Sequence, residues 1–506
     1  MEMPTRSWWG WGWAERALTE AECLQLGGRV KPYLALDGHV TPPPQVPALP
    51  RPRLDPPSAL EGVFKADPEA RAGHTYGKAY RDIVRNLCGT LAHPPDWVAF
   101  PRSEDELTAI LDWAAAQEAA VIPYGGGSSV VGGVEYRGPD RPVISLDLST
   151  LDDVPDVDET NLAVRAQAGI FGPALEDRLR PYGLTLRHFP QSFEFSTLGG
   201  WLATRAGGHF ATGYTHIDDL LQAMRIVTPT GTVDTQRVPA SGAGPEPNRL
   251  WLGSEGALGV ITEAWVRVQR RPEFRSGASV TFPAFAGALA ATRDVAQSGL
   301  MPANCRLLDP LESYLGAGSE DGGARLLLGF ESADHPVVRQ LDRALEICRG
   351  HGGRLSEKDA VGRWRGTFLQ APYLRDGLAR LGVVVETFET ACTWSMFEAL
   401  HEAVVEALAP ALVTCRFTHV YPDGPAPYFT VYAAGERGGE VEIWDELKRR
   451  VSDALTAHGG TITHHHAVGR DHLPWYRPGR FGDALAAVKR TLDPRGILNP
   501  GVLNLH

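Results

Sequence analysis

Three adjacent histidines, His464, His465 and His466, form the densest group of side chains in the sequence that could transfer protons. An imidazole titrates near neutral pH, so it can act as acid or base, and it stabilises an anionic intermediate when charged. A metal site is the alternative. Because neighbouring side chains of a strand point to opposite faces, at most two of the three would reach one ion unless a loop relaxes the chain. We therefore favour proton transfer and predict no metal site.

A glycine-rich loop is the second chemical feature, and it reads Pro123-Tyr124-Gly125-Gly126-Gly127-Ser128-Ser129. Glycines let a backbone approach an anion closely, with N–H groups directed at phosphate oxygens, and the two serines add hydroxyl donors. The loop is not a Walker loop, because no Gly-Lys-Ser/Thr follows, and it does not fit the G-x-G-x-x-G dinucleotide fingerprint. Taken alone, a flexible surface turn would explain it equally well.

Two later segments favour a cofactor over a turn. One covers residues 191–200 and continues through residues 204–208, and the other covers residues 253–262. Both mix small residues with hydroxyls, which suits a chain that follows a bound cofactor. Each could be turn chemistry in isolation, but the order and spacing of the three segments together indicate one cofactor site.

The bulk composition excludes several classes of protein. The chain has 506 residues, 43% of them hydrophobic and 22% charged, which is typical of a folded protein. The net charge of -12 disfavours nucleic acid as a partner, because phosphates would be repelled. Six scattered cysteines without a C-x-x-C pair fit reduced thiols in a cytosol. No secretory signal, membrane-spanning stretch or Ser-Lys-Leu terminus is evident, so we expect a cytoplasmic location.

The pattern of elements predicts an α+β fold around these segments. A capping box at Ser103-Glu104-Asp105-Glu106 starts a helix, and a strand at residues 121–123 leads into the glycine loop. Residues 173–179 begin like a helix, and residues 225–233 are typical of a hairpin with a Pro/Gly turn. Further strands are expected at residues 143–146 and 162–164, and further helices at residues 337–348, 396–408 and 481–492.

The same pattern divides the chain into four parts. We predict an N-terminal arm and helical region at residues 1–94 and a cofactor-binding domain at residues 95–271. A substrate or cap domain follows at residues 272–455, and residues 456–506 form a C-terminal segment that returns to the cofactor site. Residues 1–70 combine a tryptophan-glycine start with a proline-rich run, which predicts an extended arm with little regular structure. We expect its aromatic cluster to pack on the protein's own body rather than on a membrane or partner.

Residues 75–506 resemble the FAD-linked enzymes of the vanillyl-alcohol oxidase and p-cresol methylhydroxylase family. The three small-residue segments match that family's contacts to the pyrophosphate and isoalloxazine of FAD, and residues 492–501 are similar to its usual C-terminus. The resemblance implies a two-subdomain FAD-binding domain and an α+β cap domain with a large antiparallel sheet. It also implies non-covalent FAD, contacted by the loop Pro123, Tyr124, Gly125, Gly126, Gly127, Ser128 and Ser129 and by Gln191, Ser192, Ser196, Thr197, Thr204, Arg205, Ala206, Gly207, Ser254, Glu255, Gly256, Leu258, Gly259, Val260 and Ile261.

Within this family the chain is most similar to the ether-forming branch, the alkylglycerone-phosphate (alkyl-dihydroxyacetonephosphate) synthases. Residues 195–201, 387–390 and 464–469 carry the match. The resemblance implies that the acyl chain of a 1-acyl-dihydroxyacetone phosphate is exchanged for a fatty alcohol, through an adduct at flavin N5 and without net redox. It further implies a lipid-like substrate, a homodimer and loose peripheral contact with a membrane.

The resemblance also assigns roles to single residues. Tyr428 matches the acid/base tyrosine, and because a phenol titrates near pH ~10 it would need neighbouring cations, which His464, His465 and His466 could supply. Arg375 matches the arginine proposed to bind the substrate phosphate, since a planar guanidinium suits a bidentate contact. The remaining matches to active-site positions are Arg306, His188 and Ser254.

An FAD-linked 2-hydroxyacid dehydrogenase or oxidase is the alternative, and a non-catalytic lipid- or partner-binding member is a third hypothesis. Metal-binding dehydrogenases of the family carry a close pair of histidines and then a Glu-His-Gly-Ile-Gly segment. Here His419 is comparable to the first histidine, Tyr428 stands in the region of the second, and His465 stands where the glutamate would lie. Losing an imidazole and a carboxylate would weaken a metal site, so the pattern favours the ether-forming branch.

Overall fold

The structure is a computed structural model that describes residues 5–214, 216–317, 322–356 and 360–505. In chain order its strands are β1 (Phe64–Lys65), β2 (Trp97–Ala99), β3 (Ala120–Tyr124), β4 (Val143–Asp147), β5 (Asp156–Asp158), β6 (Ala163–Gln167), β7 (Leu184–Thr185), β8 (Leu221–Thr228), β9 (Gly231–Asp234), β10 (Val260–Arg267), β11 (Gln269–Arg270), β12 (Phe274–Phe282), β13 (Asn304–Leu308), β14 (Ala324–Ser332), β15 (Arg354–Leu355), β16 (Val383–Glu389), β17 (Leu412–Val420) and β18 (Pro425–Ala434). Its helices are α1 (Glu20–Val30), α2 (Pro68–Gly73), α3 (Tyr80–Leu87), α4 (Glu104–Ala116), α5 (Gly172–Leu179), α6 (Leu198–Thr204), α7 (Ala211–Tyr214), α8 (Ile217–Leu220), α9 (Asn248–Trp251), α10 (Phe285–Gln297), α11 (Pro310–Ala317), α12 (Val338–Gly350), α13 (Ala360–Arg380), α14 (Phe397–Leu408), α15 (Glu440–Ala457) and α16 (Arg480–Leu492).

A four-stranded sheet, in the order β1-β2-β4-β3, carries the glycine loop. Its strands β2, β4 and β3 are parallel, and α4 buries Leu107, Ile110 and Leu111 against it. At the start of α4 the Ser103 side chain accepts a hydrogen bond from the backbone N–H of Glu106, as predicted. The Glu106 carboxylate accepts the backbone N–H of Arg102 rather than that of Ser103, so the second hydrogen bond of the capping box is not formed. Because β3 ends at Tyr124, the three glycines follow directly at the carboxyl end of a parallel strand.

A five-stranded antiparallel sheet, in the order β5-β6-β10-β8-β9, carries the two other small-residue segments. The predicted hairpin is confirmed as β8 and β9, which turn at residues 229–230. The sheet packs against α5 and α6 through a core that includes Trp201, Leu198 and Leu258. It thereby holds residues 191–208 and 253–261 next to the first sheet.

A seven-stranded sheet, in the order β15-β12-β14-β13-β17-β18-β16, makes up the cap, and its pairings are antiparallel. The predicted helices at residues 337–348 and 396–408 are confirmed as α12 and α14. Side chains alternate along β18 and along β17 as far as Phe417, after which the register shifts, so Cys415, Phe417 and Phe429 enter the core. Arg416 and Tyr428, which face each other in the register, lie on the opposite face of the sheet. The predicted α+β fold with a large antiparallel sheet is confirmed.

The N-terminal arm packs on the body of the protein, as expected. Trp9 and Trp11 are buried, the Trp11 N–H donates to Asp376, and the Trp11 ring meets Phe195 edge-on. The expectation of little regular structure is wrong for residues 20–30, which form α1. A capping box between Thr19 and Glu22 starts this helix, and that motif was readable in the sequence.

The four predicted domain limits stay a prediction. Strand β1 pairs with β2 across the limit at residue 94, and α15 ends two residues beyond the limit at residue 455. Residues after α16 lie beside the glycine loop, because Leu498 forms a parallel bridge with Val121. In the described part of the chain, the helices lack the combination of length and apolar character that a membrane crossing needs.

Candidate active site

One cavity of about 710 Å³ joins the cofactor-type segments to the cap sheet. Most of the residues predicted for the site line it. They are Pro123, Tyr124, Gly125, Gly126, Gly127, Ser128, Ser129, Gln191, Ser192, Ser196, Thr197, Thr204, Ala206, Gly207, Glu255, Gly256, Gly259, Val260, Ile261, Arg306, Arg375, Tyr428, His465 and His466.

Five predicted residues lie behind or beside the wall. Leu258 belongs to the core of the five-stranded sheet, and Ser254 is buried next to it. Arg205 forms an ion pair with Asp218 at 2.7 Å, with 58% of its side chain exposed. The two remaining residues are His188, whose ring meets Trp201 edge-on, and His464, which contacts the wall residue His465.

The glycine loop fits a pyrophosphate cradle. A Cβ on Gly126 would lie 1.8 Å from the carbonyl oxygen of Phe195, and Gly127 has a φ of +66° that L side chains rarely adopt. Both positions therefore require glycine, and the bare backbone faces the cavity. A flexible turn would not need such close contacts, so the residues present fit FAD.

The C-terminal segment closes this cradle through Glu255. The Glu255 carboxylate accepts hydrogen bonds from the backbone N–H groups of Val468 and Gly469. The backbone carbonyl oxygen of Glu255 accepts a hydrogen bond from the side-chain amide of Asn499. Burial raises the pKa of Glu255 to about 7. The cradle thus depends on residues that are about 200 or more positions apart in sequence.

Tyr428 lies at the other side of the cavity, on β18. The guanidinium of Arg416 stands 4.0 Å from the centre of its ring, and Arg416 is paired with Glu312 at 2.9 Å. Burial raises the pKa of Tyr428, although Arg416 and a hydrogen bond with Thr387 oppose that shift. The cation beside the phenol therefore comes from the neighbouring strand β17.

The histidine cluster lies partly buried next to Tyr428, with ring-centre distances of 6.2 Å to His465 and 5.7 Å to His466. Burial lowers the pKa of His464 and of His465 to about 3 each, and it lowers the pKa of His466 as well. Burial therefore disfavours the positive charge that these histidines are expected to supply to Tyr428, and that role stays a prediction. Neutral imidazoles can instead donate at one nitrogen and accept at the other.

Glu389, at the end of β16, holds the cluster in place. Its carboxylate accepts the backbone N–H groups of His464, His465 and His466 and the hydroxyl of Thr463. Burial alone would raise the pKa of Glu389, but attraction to the protonated forms of the three imidazoles and the hydrogen bond from Thr463 hold it well below its usual range. The side chain is therefore an ionised carboxylate only 1% exposed.

The histidine spacing also bears on metal binding. Ligand atoms of His419, His464 and His465 lie within 4.8 Å of one another, so two of the three adjacent histidines converge. At least one nitrogen of each ring already has a protein partner. His419 Nε2 contacts the Gly208 carbonyl oxygen at 2.9 Å, the other two rings contact each other at 3.0 Å, and His464 Nε2 also contacts the Tyr421 hydroxyl. The absence of a metal site stays a prediction.

The two predicted arginines differ in environment. Arg306 is 1% exposed, and its Nη1 lies 3.3 Å from His209 Nδ1. Burial, together with the nearby Arg416 cation, lowers the pKa of Arg306 to about 9. Arg375 is 16% exposed and pairs with Asp376 at 2.9 Å.

Sequence reasoning missed four residues of the site: Glu389, Arg416, Tyr421 and His216. Glu389 ends a mostly apolar strand that also contains Glu386, and carboxylates in such a strand were a readable sign of buried anions. Arg416 alternates with apolar neighbours on β17, which is a similar sign. The hydrogen bond between Tyr421 and His216 joins residues far apart in sequence, so no local pattern indicated it.

We predict that Gly126→Ala yields protein that purifies without FAD, because the added Cβ would overlap the Phe195 carbonyl. The measurement is the flavin absorbance of the purified protein at equal protein concentration. Gly62→Ala is the matched control, since its Cβ would meet nothing within 4 Å, and it should keep full flavin content. Retention of FAD by a folded Gly126→Ala protein, judged by circular dichroism, would contradict the cradle.

Comparison with known proteins agrees with this geometry. Residues 95–235 match the FAD binding domain family, and residues 271–503 match the family of FAD linked oxidases, C-terminal domain. The chain is 32% identical to an alkyldihydroxyacetonephosphate synthase of Dictyostelium discoideum, over 91% of this chain and 81% of that protein.

Solved structures show the same relationship. A structure of an alkyldihydroxyacetonephosphate synthase superposes with a TM-score of 0.83 at 28% identity and covers 98% of both chains. A structure of p-cresol methylhydroxylase with substrate bound has a TM-score of 0.68 at 14% identity, over 88% of this chain and 94% of that one, which confirms the predicted fold. The chain is thus an FAD-dependent enzyme that belongs to the alkyldihydroxyacetonephosphate synthase family.

Proposed function

We propose that the enzyme exchanges the acyl chain of a 1-acyl-dihydroxyacetone phosphate for a fatty alcohol and so forms an ether lipid. The observation that carries this proposal is the continuity of the cavity. Its wall runs from the FAD cradle at Gly126, past Tyr428 and His465, to an apolar end at Leu378 and Val30. A redox enzyme for a small hydroxy acid has no use for such a long apolar extension.

The apolar end is built by rows of side chains along β18. Tyr428, Thr430 and Tyr432 face the cavity in succession. The distance along the strand from Tyr428 to Tyr432 is roughly 13 Å, at a rise of about 3.3 Å per residue. Beyond Tyr432, the cavity meets Leu378 of α13 and Val30 of α1, which pack together. We assign this end to the hydrocarbon chain of the substrate, because moving that chain from water into an apolar cavity is favourable.

The substrate phosphate is assigned to Arg375. This guanidinium lines the cavity on α13 and is mostly buried. Its pairing with Asp376 uses Nε and Nη2 and fixes the plane of the group, which prepares it for an anion. The side chain lies one turn from Leu378, so phosphate and hydrocarbon would be held by the same helix.

Tyr428 is assigned the proton transfer at the reacting carbon. FAD, held in the cradle, would supply an electron-accepting ring beside the reacting carbon. Arg416 stabilises the phenolate form of Tyr428 by its position over the ring, and Arg306 adds a second buried cation nearby. In their neutral forms, His465 and His466 can take up or return a proton beside the phenol.

Incubation of the FAD-loaded protein with 1-acyl-dihydroxyacetone phosphate and hexadecanol tests the proposal. We expect alkyl-dihydroxyacetone phosphate and free fatty acid in equal amounts, and Tyr428→Phe should lower kcat by about a hundred-fold or more, the usual contribution of one acid/base group. Tyr182→Phe, on the surface with 45% exposure, is the matched control and should be fully active.

Two results would oppose this assignment. Absence of alkyl product from flavin-loaded protein would reject the ether-forming function, and bleaching of the flavin by a 2-hydroxy acid would then support the oxidoreductase alternative. Full activity of Tyr428→Phe with product formed would reject the role of Tyr428 alone.

The hydrocarbon assignment predicts a change in chain-length preference. Leu378→Trp should fill the apolar end and lower turnover with hexadecanol by roughly ten-fold, because each excluded methylene costs about 0.8 kcal/mol. Turnover of the same variant with decanol is the internal control and should be nearly unchanged. Leu355→Trp, at a site 59% exposed, controls for the substitution itself. An unchanged preference for hexadecanol would contradict the assignment.

We also infer peripheral contact with a lipid surface through α1 and the residues that directly follow it. Leu24 and Tyr33 are 44% and 48% exposed, beside the Leu26 and Val30 side chains that line the cavity. Cosedimentation with phospholipid vesicles should fall for Leu24→Ser, and equal binding of both proteins would oppose the inference. A homodimer and a cytoplasmic location stay predictions.

A further inference from the structure

We propose that Tyr421 and His216 form the outer half of a proton relay that connects His465, on the cavity wall, with solvent. The proposal rests on the proposed function, because it concerns the proton that ether formation releases. Tyr421 and His216 act through His464 and His465 rather than on the substrate, so they are positioning residues.

The relay is an unbroken series of hydrogen bonds between four side chains. His465 Nδ1 lies 3.0 Å from His464 Nδ1, and His464 Nε2 lies 3.0 Å from the hydroxyl of Tyr421. The same hydroxyl contacts Nε2 of His216. His465 lines the cavity, whereas Tyr421 and His216 are partly exposed, so the series leads outward.

One set of tautomers satisfies every bond. His465 donates its Nδ1–H to His464 Nδ1, His464 donates its Nε2–H to Tyr421, and the Tyr421 hydroxyl donates to His216 Nε2. When His465 gains a proton from the cavity at its other nitrogen, each member passes one proton outward and His216 releases one from Nδ1. Such transfer needs neutral rings that donate and accept at once, and burial lowers the pKa of His216 and of His464 in the required direction.

The reaction supplies one proton for each turnover. The bond from the substrate carbon to the acyl oxygen breaks, and the fatty acid leaves with that oxygen as a carboxylate. The alcohol oxygen forms the new bond and loses its proton, and no electrons are gained or lost overall. Because a fatty carboxylic acid is ionised at neutral pH, one proton must leave the cavity.

Charged neighbours support outward transfer. The Glu389 carboxylate lies 3.3 Å from His465 Nδ1 and would stabilise a transient imidazolium. At the outer end, His216 faces Asp218, Asp219 and Arg205, and Asp219 is exposed. His419 packs beside His216 and His464 at ring-centre distances of 5.4 Å and 5.2 Å, and burial holds the pKa of His419 well below its usual value.

The experiment compares wild type, Tyr421→Phe and His216→Ala as FAD-loaded full-length proteins at low buffer concentration. Both variants should lose about ten-fold in kcat with little change in KM, and millimolar imidazole should restore most of the loss by carrying the proton. Tyr182→Phe is again the matched control. A loss that imidazole does not restore, or an unchanged kcat, would overturn the relay.

A second readout does not depend on turnover. In protein labelled with ¹⁵N-histidine, Tyr421→Phe should shift the Nε2 resonances of His216 and His464 and leave those of exposed histidines in place. Unchanged resonances would overturn the relay even if the variant loses activity. Failure of the proposed function gives a different result, namely no alkyl product from the wild type alongside the expected shifts.

Discussion

Glu389 accepts three consecutive backbone N–H groups, and this interaction fixes the chemical half of the active site. The carboxylate belongs to the cap sheet, whereas the N–H groups belong to the C-terminal segment that also reaches the FAD cradle. A buried anion without partners would cost several kcal/mol, so the segment cannot move away while Glu389 stays ionised. The positions of His464, His465 and His466 relative to Tyr428 follow from this constraint.

The burial that Glu389 helps to maintain also shifts the pKa values of the histidines. Desolvation disfavours their imidazolium forms, and the cation placed over the Tyr428 ring is Arg416. This division of roles between arginines and histidines suits an enzyme that moves protons without net redox. Arginines stay charged and stabilise anions, while neutral imidazoles carry protons in either direction.

The alternation of side chains along β18 and the first part of β17 connects this chemistry to the apolar end of the cavity. One face of the sheet packs against the helices, and the other face presents Arg416, Tyr428 and Tyr432 to the cavity. A shift of register by one residue would exchange the two faces and remove the site altogether. The cap sheet is thus both the core of its domain and the wall of the active site.

The sequence by itself determined the α+β fold, the glycine cradle, the main helices and the family, because each rests on local spacing or on contiguous segments. It also identified Tyr428 and the triple histidine as parts of one site. Only the tertiary structure decided how the pKa values of those groups are shifted, since burial depends on packing by residues distant in the chain. The roles of Glu389, Arg416, Tyr421 and His216 were likewise decided there, because strand register and contacts between distant segments bring these side chains together. The capping box at Thr19 and Glu22 is different, since its signal was local and could have been read from the sequence.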